Sequence, residues 1–456
     1  MTTTTTARPP LSATFRALQT RNYRLFWFGQ VVSQMGTWMQ RVAQAWLVLQ
    51  LTDSPLALGT IATVQFSPVL VFSLFGGVLA DWMPKRRLLI TTQAVMAVQA
   101  LAFAILVSFD LITLPLIYIL AAVLGVAAAL DNPTRQAFVV EMVGPDDLAN
   151  AVALNSTQFN TARIVGPAVG GLIVGTLGIA ACYWLNAVSF IAVIGGLALM
   201  RPADLYPSRQ AARGNVVGQI AEGIRYVATT PDAALVVLLV GVIGMLGYNF
   251  TVLLPLVARY VLDWGPAGFG ILTSAMGVGS LIAALAVAYA GRPSERTLLI
   301  GAAVFSALFF ALGLSHWGIV TVPVLVALGG ASIVFTSTAN TRLQLVAPPE
   351  LRGRVMSIYS LLFMGTTPIG GLIIGVLAES VGVQLTVALL AVGCGAGVLI
   401  AIIYARWMRH RPSPVEQVAD LARPTEPSGA IQGEDQPNTP KKVSAATTKA
   451  PASARK

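Results

Sequence analysis

Charge is what this chain has least of. Asp, Glu, Lys and Arg make up 11% of its 456 residues, against about 25% in soluble domains, too few to clothe a water-facing surface. Histidine occurs only as His316 and His410, and cysteine only as Cys182 and Cys394. Two histidines so far apart exclude an H-E-x-x-H zinc site, and the two cysteines, in predicted helices of different halves, say nothing of a disulfide framework and read as small core residues. Neither a G-x-x-x-x-G-K-[ST] phosphate loop nor a G-x-S-x-G elbow occurs. The chain therefore has no ATP motor of its own, nothing supports an enzyme, and no cofactor is expected. The opening "MTTTTTARPP" lacks a basic region followed by a short apolar core, so no secretory signal is expected.

Hydrophobicity is what is there: 55% of residues are apolar and the mean hydropathy is +0.74. Apolar runs of about 20 residues recur, each long enough for a hydrocarbon layer of about 30 Å. With the turn signals "TDSP", "DWMPKRR" and "APPELRGR", they predict twelve helices at 24–50, 56–79, 88–109, 114–134, 148–178, 181–200, 233–261, 266–290, 296–314, 319–341, 351–378 and 383–407. The expected fold is an all-α polytopic membrane protein of two pseudo-symmetric six-helix halves. Residues 1–200 hold the first half with its N-terminal arm, 201–232 a linker, 233–408 the second half, and 409–456 a proline-rich tail expected to be disordered. In the linker, "NVVGQIAEGIRYVATT" spaces Val216, Val217, Ile220, Ile224 and Val227 as one helix face, which predicts an amphipathic helix on the membrane surface.

Every Lys and Arg except Arg41, Arg163 and Arg259 falls in the N-terminal arm, in loops after even-numbered segments or in the tail. Such residues stay on the cytoplasmic side, so both termini are expected inside the cytoplasmic membrane. The net charge of +10 then needs no nucleic acid; orientation and anionic lipid account for it. The halves also echo each other: "VGGLIVG" at 169–175 returns as "IGGLIIG" at 369–375, in the fifth and eleventh segments. Paired repeats with a site between them are the usual build of secondary transporters, and the glycines equally allow helices to approach closely.

The first segment carries a polar stripe. Gln30, Ser33, Gln34, Thr37, Arg41 and Gln44 keep the three-and-four rhythm of one helix face. The fifth segment adds Asn155, Gln158 and Arg163, the seventh Tyr248 and Asn249, and the tenth Thr336 and Asn340; these are the candidate substrate contacts. None of the nineteen acids lies near mid-membrane, so the two arginines have no carboxylate at their own depth. An arginine there costs about 2.5–3.5 kcal/mol on insertion scales and should face a polar interior. For each single amide, tying helices together is the favoured reading; for Arg41 and Arg163 structural and ligand roles stand even. A guanidinium fork suits carboxylates and phosphates, which leans the pattern toward an anionic or acceptor-rich small molecule.

Between the second and third segments, "GGVLADWMPKRRLLI" resembles the signature loop of the major facilitator superfamily, G-x-L-A-D-R-x-G-R-R. Gly77, Leu79, Ala80 and Asp81 match, as do Lys85 and Arg86, while Trp82 and Pro84 depart. "GTWMQRVAQAWLVLQLTDSPLALG", "DNPTRQAF" and "PPELRGRVMS" extend the likeness over about residues 15–408, and are similar to the branch holding enterobactin exporters and macrolide efflux proteins. The resemblance implies alternating-access export of a siderophore-like or drug-like molecule by proton antiport. It also implies a cytoplasmic latch built from Gly77, Asp81, Lys85, Arg86, Asp131, Arg352 and Arg354. "GPAVGG" resembles the antiporter motif, so Gly166, Pro167, Gly170 and Gly171, with Pro368 in the eleventh segment, are the expected sites of bending and close packing. One feature departs: the first segment carries a base where many proton-driven relatives have an acid, and the fourth lacks their arginine. The expected partners are a small-molecule substrate, protons and membrane lipid, with the protein a monomer. An importer of an organic anion and a lipid-handling or sensory membrane protein remain the alternatives.

Overall fold

A computed structural model describes residues 15–207, 216–289, 294–349 and 351–409, with the backbone alone at 73–82 and a few other positions. The described residues are helical throughout their regular structure. The first bundle comprises α1 (Arg21–Thr52), α2 (Pro55–Trp82), α3 (Lys85–Ser108), α4 (Leu114–Val143), α5 (Leu148–Leu177) and α6 (Ile179–Ala198). After α7 (Val216–Thr229), the second bundle comprises α8 (Pro231–Gly247), α9 (Phe250–Leu256) with a π-helical extension Val257–Val261, α10 (Pro266–Tyr289), α11 (Glu295–Leu314), α12 (Gly318–Val346), α13 (Arg352–Gly365), α14 (Thr367–Val381) and α15 (Val383–Arg409). Ten spans among the described residues are long and apolar enough to cross a membrane. The helices α1 and α5 are 32 and 30 residues long but fall short in hydropathy, because they carry the amide and arginine stripe. The expected count of twelve is compatible with this arrangement.

Two expected helices are broken. The seventh segment parts at Tyr248 and Asn249. The eleventh parts at Thr366, where Pro368 enters the first turn of α14 without an N–H to offer the preceding turn. Thr366 answers with a hydroxyl bond to the Leu362 carbonyl at 2.7 Å. The fourth segment, expected to end at 134, instead runs on through Pro133 to Val143. There the Thr134 hydroxyl bonds the Leu130 carbonyl at 2.7 Å, so local side-chain bonding steadies the turn around the proline. α5 likewise passes Pro167 without interruption.

Small residues set how the bundles meet. A Cβ added at Gly170 would stand 2.8 Å from the Met39 Cα, and one at Gly166 2.5 Å from the Trp38 Cβ, so these glycines seat α1 on α5. A Cβ at Gly171 would meet the Pro266 carbonyl at 2.4 Å, and one at Gly270 the Pro167 carbonyl at 2.4 Å; here α5 crosses α10. The matching crossing joins α2 to α14, where a Cβ at Gly59 would lie 2.4 Å from the Gly371 carbonyl. The two glycine repeats are thus the two joints between bundles. Gly171→Ala is expected to destabilise its joint by about 1–3 kcal/mol through overpacking. Gly175→Ala, whose Cβ would find only the Pro266 Cγ at 4.0 Å, should leave the melting temperature of the purified protein unchanged.

α7 packs on the second bundle. Its Val227 is buried, its Tyr226 hydroxyl bonds the Val346 carbonyl at 2.9 Å, and Glu222 pairs with Arg354. Val216, Val217 and Ile220 lie outside the described side chains, as does the whole tail from 410.

Candidate functional site

Where α1, α2 and α5 face the α8–α9 break, the bundles enclose a cavity of about 210 Å³. Arg41 and Arg163 both line it, beside Trp38, Gln44, Gln65 and Tyr248. The Arg41 guanidinium lies over the Trp38 ring, 4.3 Å from its centroid, a cation–π contact that orients it without neutralising it. Gln44 donates to the Gln65 side chain at 3.1 Å, closing one wall. Tyr248 is held by a hydroxyl bond to the Ser332 carbonyl at 2.7 Å and by stacking on Phe305 at 5.4 Å. Among the described residues no acid lines this cavity and neither guanidinium has a carboxylate partner. Two fixed positive charges therefore face an uncompensated space, an arrangement complementary to an anion.

At the end of the molecule where α1 meets α2, the bundles are clamped. Asp53, in the left-handed conformation with φ 49°, accepts from Arg259 Nε at 2.9 Å and Nη2 at 2.7 Å. The Tyr260 hydroxyl lies 2.9 Å from the same carboxylate. The Tyr260 hydroxyl and then the Arg259 guanidinium hold the Asp53 carboxyl below its ordinary range. Glu379 of α14 accepts from the Ser54 hydroxyl at 2.9 Å and from the Leu56 amide at 3.2 Å, capping the first turn of α2 from across the interface. The pairs Arg16–Asp147, Lys85–Glu141, Arg135–Asp131 and Arg342–Asp232 each stay within a bundle, and Arg354–Glu222 joins α7 to the second one.

Of the residues expected to latch the opposite end, those whose side chains are described bond as follows. Lys85 pairs with Glu141 at 2.6 Å, and Arg86 donates to the carbonyls of Leu197 at 2.7 Å and Ala198 at 2.8 Å, all inside the first bundle. Asp131 is fully buried and accepts from Thr92 at 2.9 Å, Gln93 at 2.8 Å and Arg135 at 2.5 Å. Arg135, one helical turn away, supplies the positive charge beside Asp131. Arg354 binds Glu222, and Arg352 is exposed. The side chains of Gly77 and Asp81 lie outside the described residues.

The expected substrate contacts separate into groups. Arg41, Gln44, Arg163 and Tyr248 reach the central cavity, whereas Gln30, Gln34, Asn155 and Gln158 line a second chamber nearer the chain termini. Thr37 bonds the Ser33 carbonyl of its own helix at 2.9 Å, Thr336 bonds that of Ser332 at 2.8 Å, and Asn340 accepts from Gln344 at 2.6 Å. Asn249 is buried in the α8–α9 break, bonded to the Met245 carbonyl at 2.7 Å, under Gly370. None of these four lines either chamber. Sequence reasoning missed Trp38, Gln65 and Phe159 as lining, although Trp38 stands one turn from Arg41. It also missed Arg135, although Arg135 stands four residues from Asp131, the spacing of a helical ion pair.

A family model described as transmembrane secretion effector matches residues 12–427. Among curated proteins, the multidrug efflux pump Tap of Mycolicibacterium fortuitum is 28% identical over 377 residues, covering 79% of this chain and 90% of that one. The staphyloferrin A transporter of Staphylococcus aureus is 26% identical, covering 78% and 90%. Macrolide efflux protein A of Streptococcus pyogenes is 25% identical, covering 78% and 89%. Among solved structures, the transporter PepTSo superposes with a TM-score of 0.68 at 12% identity, covering 86% of this chain and 99% of that one. A bacterial homologue of the lysosomal transporter Spinster, in an inward-facing and unoccupied conformation, gives 0.64 at 12% identity, with coverage of 90% and 100%.

Proposed function

Because the chain belongs to the transmembrane secretion effector family of the major facilitator superfamily, we propose that it exports a small anionic or oxygen-rich molecule from the cytoplasm by alternating access. One observation carries this reading: a cavity between the bundles holds two unneutralised arginines and is closed toward the Asp53 end by a clamp across the interface. With the termini on the cytoplasmic side, as the distribution of basic residues favours, the conformation is inward-facing. The substrate then enters from the cytoplasm, neutralises Arg41 and Arg163, and the bundles rock about the Gly171–Pro266 and Gly59–Gly371 joints. Opening the Asp53 clamp releases it outside, and the loop around Asp81 latches the cytoplasmic end in that state. The efflux pumps and the siderophore transporter among its relatives support the direction and the substrate size.

Proton antiport is the coupling we assign, on the likeness to proton-driven exporters; Asp53, held below its ordinary range by Tyr260 and Arg259, serves the clamp rather than the coupling. Inside-out vesicles containing the protein, energised to an acidic interior, test the reading with a panel of siderophores, macrolides and tetracyclines. Accumulation abolished by a protonophore is the expected result. Uptake only by right-side-out vesicles would replace export with import of an organic anion, which the same cationic cavity would serve. Phospholipid translocation without solute flux would replace both.

A further inference from the structure

The polar stripe of α1 serves two chambers, and they differ in size and charge. The chamber between α1, α4 and α5 measures about 650 Å³, within the roughly 300–1,000 Å³ of small-molecule sites, whereas the central cavity measures about 210 Å³. The larger chamber has an arginine but no free charge, since Arg135 is tied to Asp131 at 2.5 Å and to the Asn132 side chain at 2.9 Å. What it offers is amide N–H. Gln30 is 3% exposed; its Oε1 accepts from Arg135 at 3.3 Å, which fixes the amide orientation, and its Nε2 has no partner. Asn155 is oriented the same way, its Oδ1 taking the Tyr23 hydroxyl at 2.9 Å, so that its NH2 is the remaining donor. Gln34 and Gln158 line the same wall. A buried amide donor with nothing to bind is a standing demand for an acceptor.

Phe159 is the one residue that lines both chambers. Its ring meets Trp38 edge-on, with centroids 6.0 Å apart, and Trp38 in turn carries the Arg41 guanidinium. The two rings divide an uncharged, donor-rich space from a cationic one.

We propose that the α1–α4–α5 chamber is a separate loading site for the neutral, oxygen-bearing part of a substrate, filled before its anionic group passes Phe159 to Arg41 and Arg163. This deepens the export reading and rests on it for the order of events. The ligand chemistry is carbonyl, ether and hydroxyl oxygen, recognised by Gln30, Gln34 and Asn155.

The test is equilibrium binding to the purified full chain in lipid nanodiscs, with radiolabelled erythronolide B as the neutral oxygen-rich probe and citrate as the anionic one. Both should bind saturably and together, without competing. Gln30→Leu with Asn155→Leu should weaken erythronolide B by about tenfold or more and leave citrate within about twofold, since an unmet hydrogen bond discriminates strongly. Arg41→Gln should do the reverse. Gln34→Leu, at a half-buried amide with no side-chain bond among the described residues, should show the same preference more weakly with little effect on folding. Competition between the probes, loss of erythronolide B binding on Arg41→Gln alone, or no saturable binding of it to folded wild type would each overturn the loading site. Binding is scored without transport: vesicles that export nothing while this pattern holds would remove the export reading and keep the site. Export with the pattern absent would do the opposite.

Discussion

Replacing Arg41 and Arg163 together by glutamine should reduce, by more than about tenfold, the preference of a cysteine at position 251 for an anionic thiosulfonate over a cationic one. Thr251 lines the central cavity and is exposed to it, so a thiol there samples the local potential without any knowledge of the substrate. A unit charge about 8 Å away acts with about 2 kcal/mol at an effective dielectric of 20, and the effect has opposite sign for the two reagents. With no acid in the lining to cancel it, the wild-type cavity should react far faster with the sulfonate reagent than with the ammonium reagent. Cys182 and Cys394 are fully buried and can be replaced by alanine to leave one reactive thiol. The preference should halve in logarithm with either single substitution and vanish with both. A reagent ratio near one in the wild type would mean that something neutralises the arginines, and the anionic substrate would fall with it.

Asp53→Asn combined with Glu379→Gln is expected to expose the same cysteine to reagents from the Asp53 side, raising its reaction rate from there by roughly tenfold; each exposed pair alone contributes little. Asp53 is gripped by Arg259 and Tyr260 of the second bundle, and Glu379 grips the first turn of α2 from the second bundle. Both acids therefore hold the interface from opposite sides, beside the Tyr260 hydroxyl bond to the Asp53 carbonyl at 2.9 Å, which the substitutions leave in place. Acidity should reproduce the effect. The Asp53 carboxyl is held below its ordinary range by Tyr260 and Arg259, so its contribution is complete above about pH 4 and is lost as the pH falls through the lowered value. Closed-end accessibility should thus stay flat from neutral pH down to the carboxylate range and rise only below it, and the Asn variant should show no such rise.

The sequence carried much of this, and where it fell short the reason is spatial. Apolar length located the helices, yet α1 and α5 are the two long ones that fall short of a span in hydropathy, because they hold the polar residues. The three-and-four rhythm marked the stripe of α1 as one face, but it could not divide that face between two chambers, which depends on where the Phe159 ring sits. The fourth segment is expected to end at 134, just past "DNP". The chain continues through it because Thr134 can bond the preceding turn, and that continuation brings Arg135 to Asp131 and Gln30. The Gly171 and Gly371 repeats were legible as repeats, while their partners, Pro266 and Gly59, lie in other helices with no sequence signal of their own. The Asp53–Arg259 clamp joins residues 206 apart; a base standing near the same membrane face as Asp53 and Glu379 was its only trace.

Pulsed electron paramagnetic resonance at both ends of the molecule tests alternating access most directly. Spin labels would replace exposed Leu111 and Ile319 at the Asp53 end, and exposed Arg87 and Arg352 at the other, each pair spanning the two bundles. Adding Asp53→Asn and Glu379→Gln should lengthen the first distance and shorten the second, because one rocking motion about the glycine joints links the two ends. Distances that stay fixed at both ends, or that lengthen at both, would contradict a transporter whose cationic cavity faces one side of the membrane at a time.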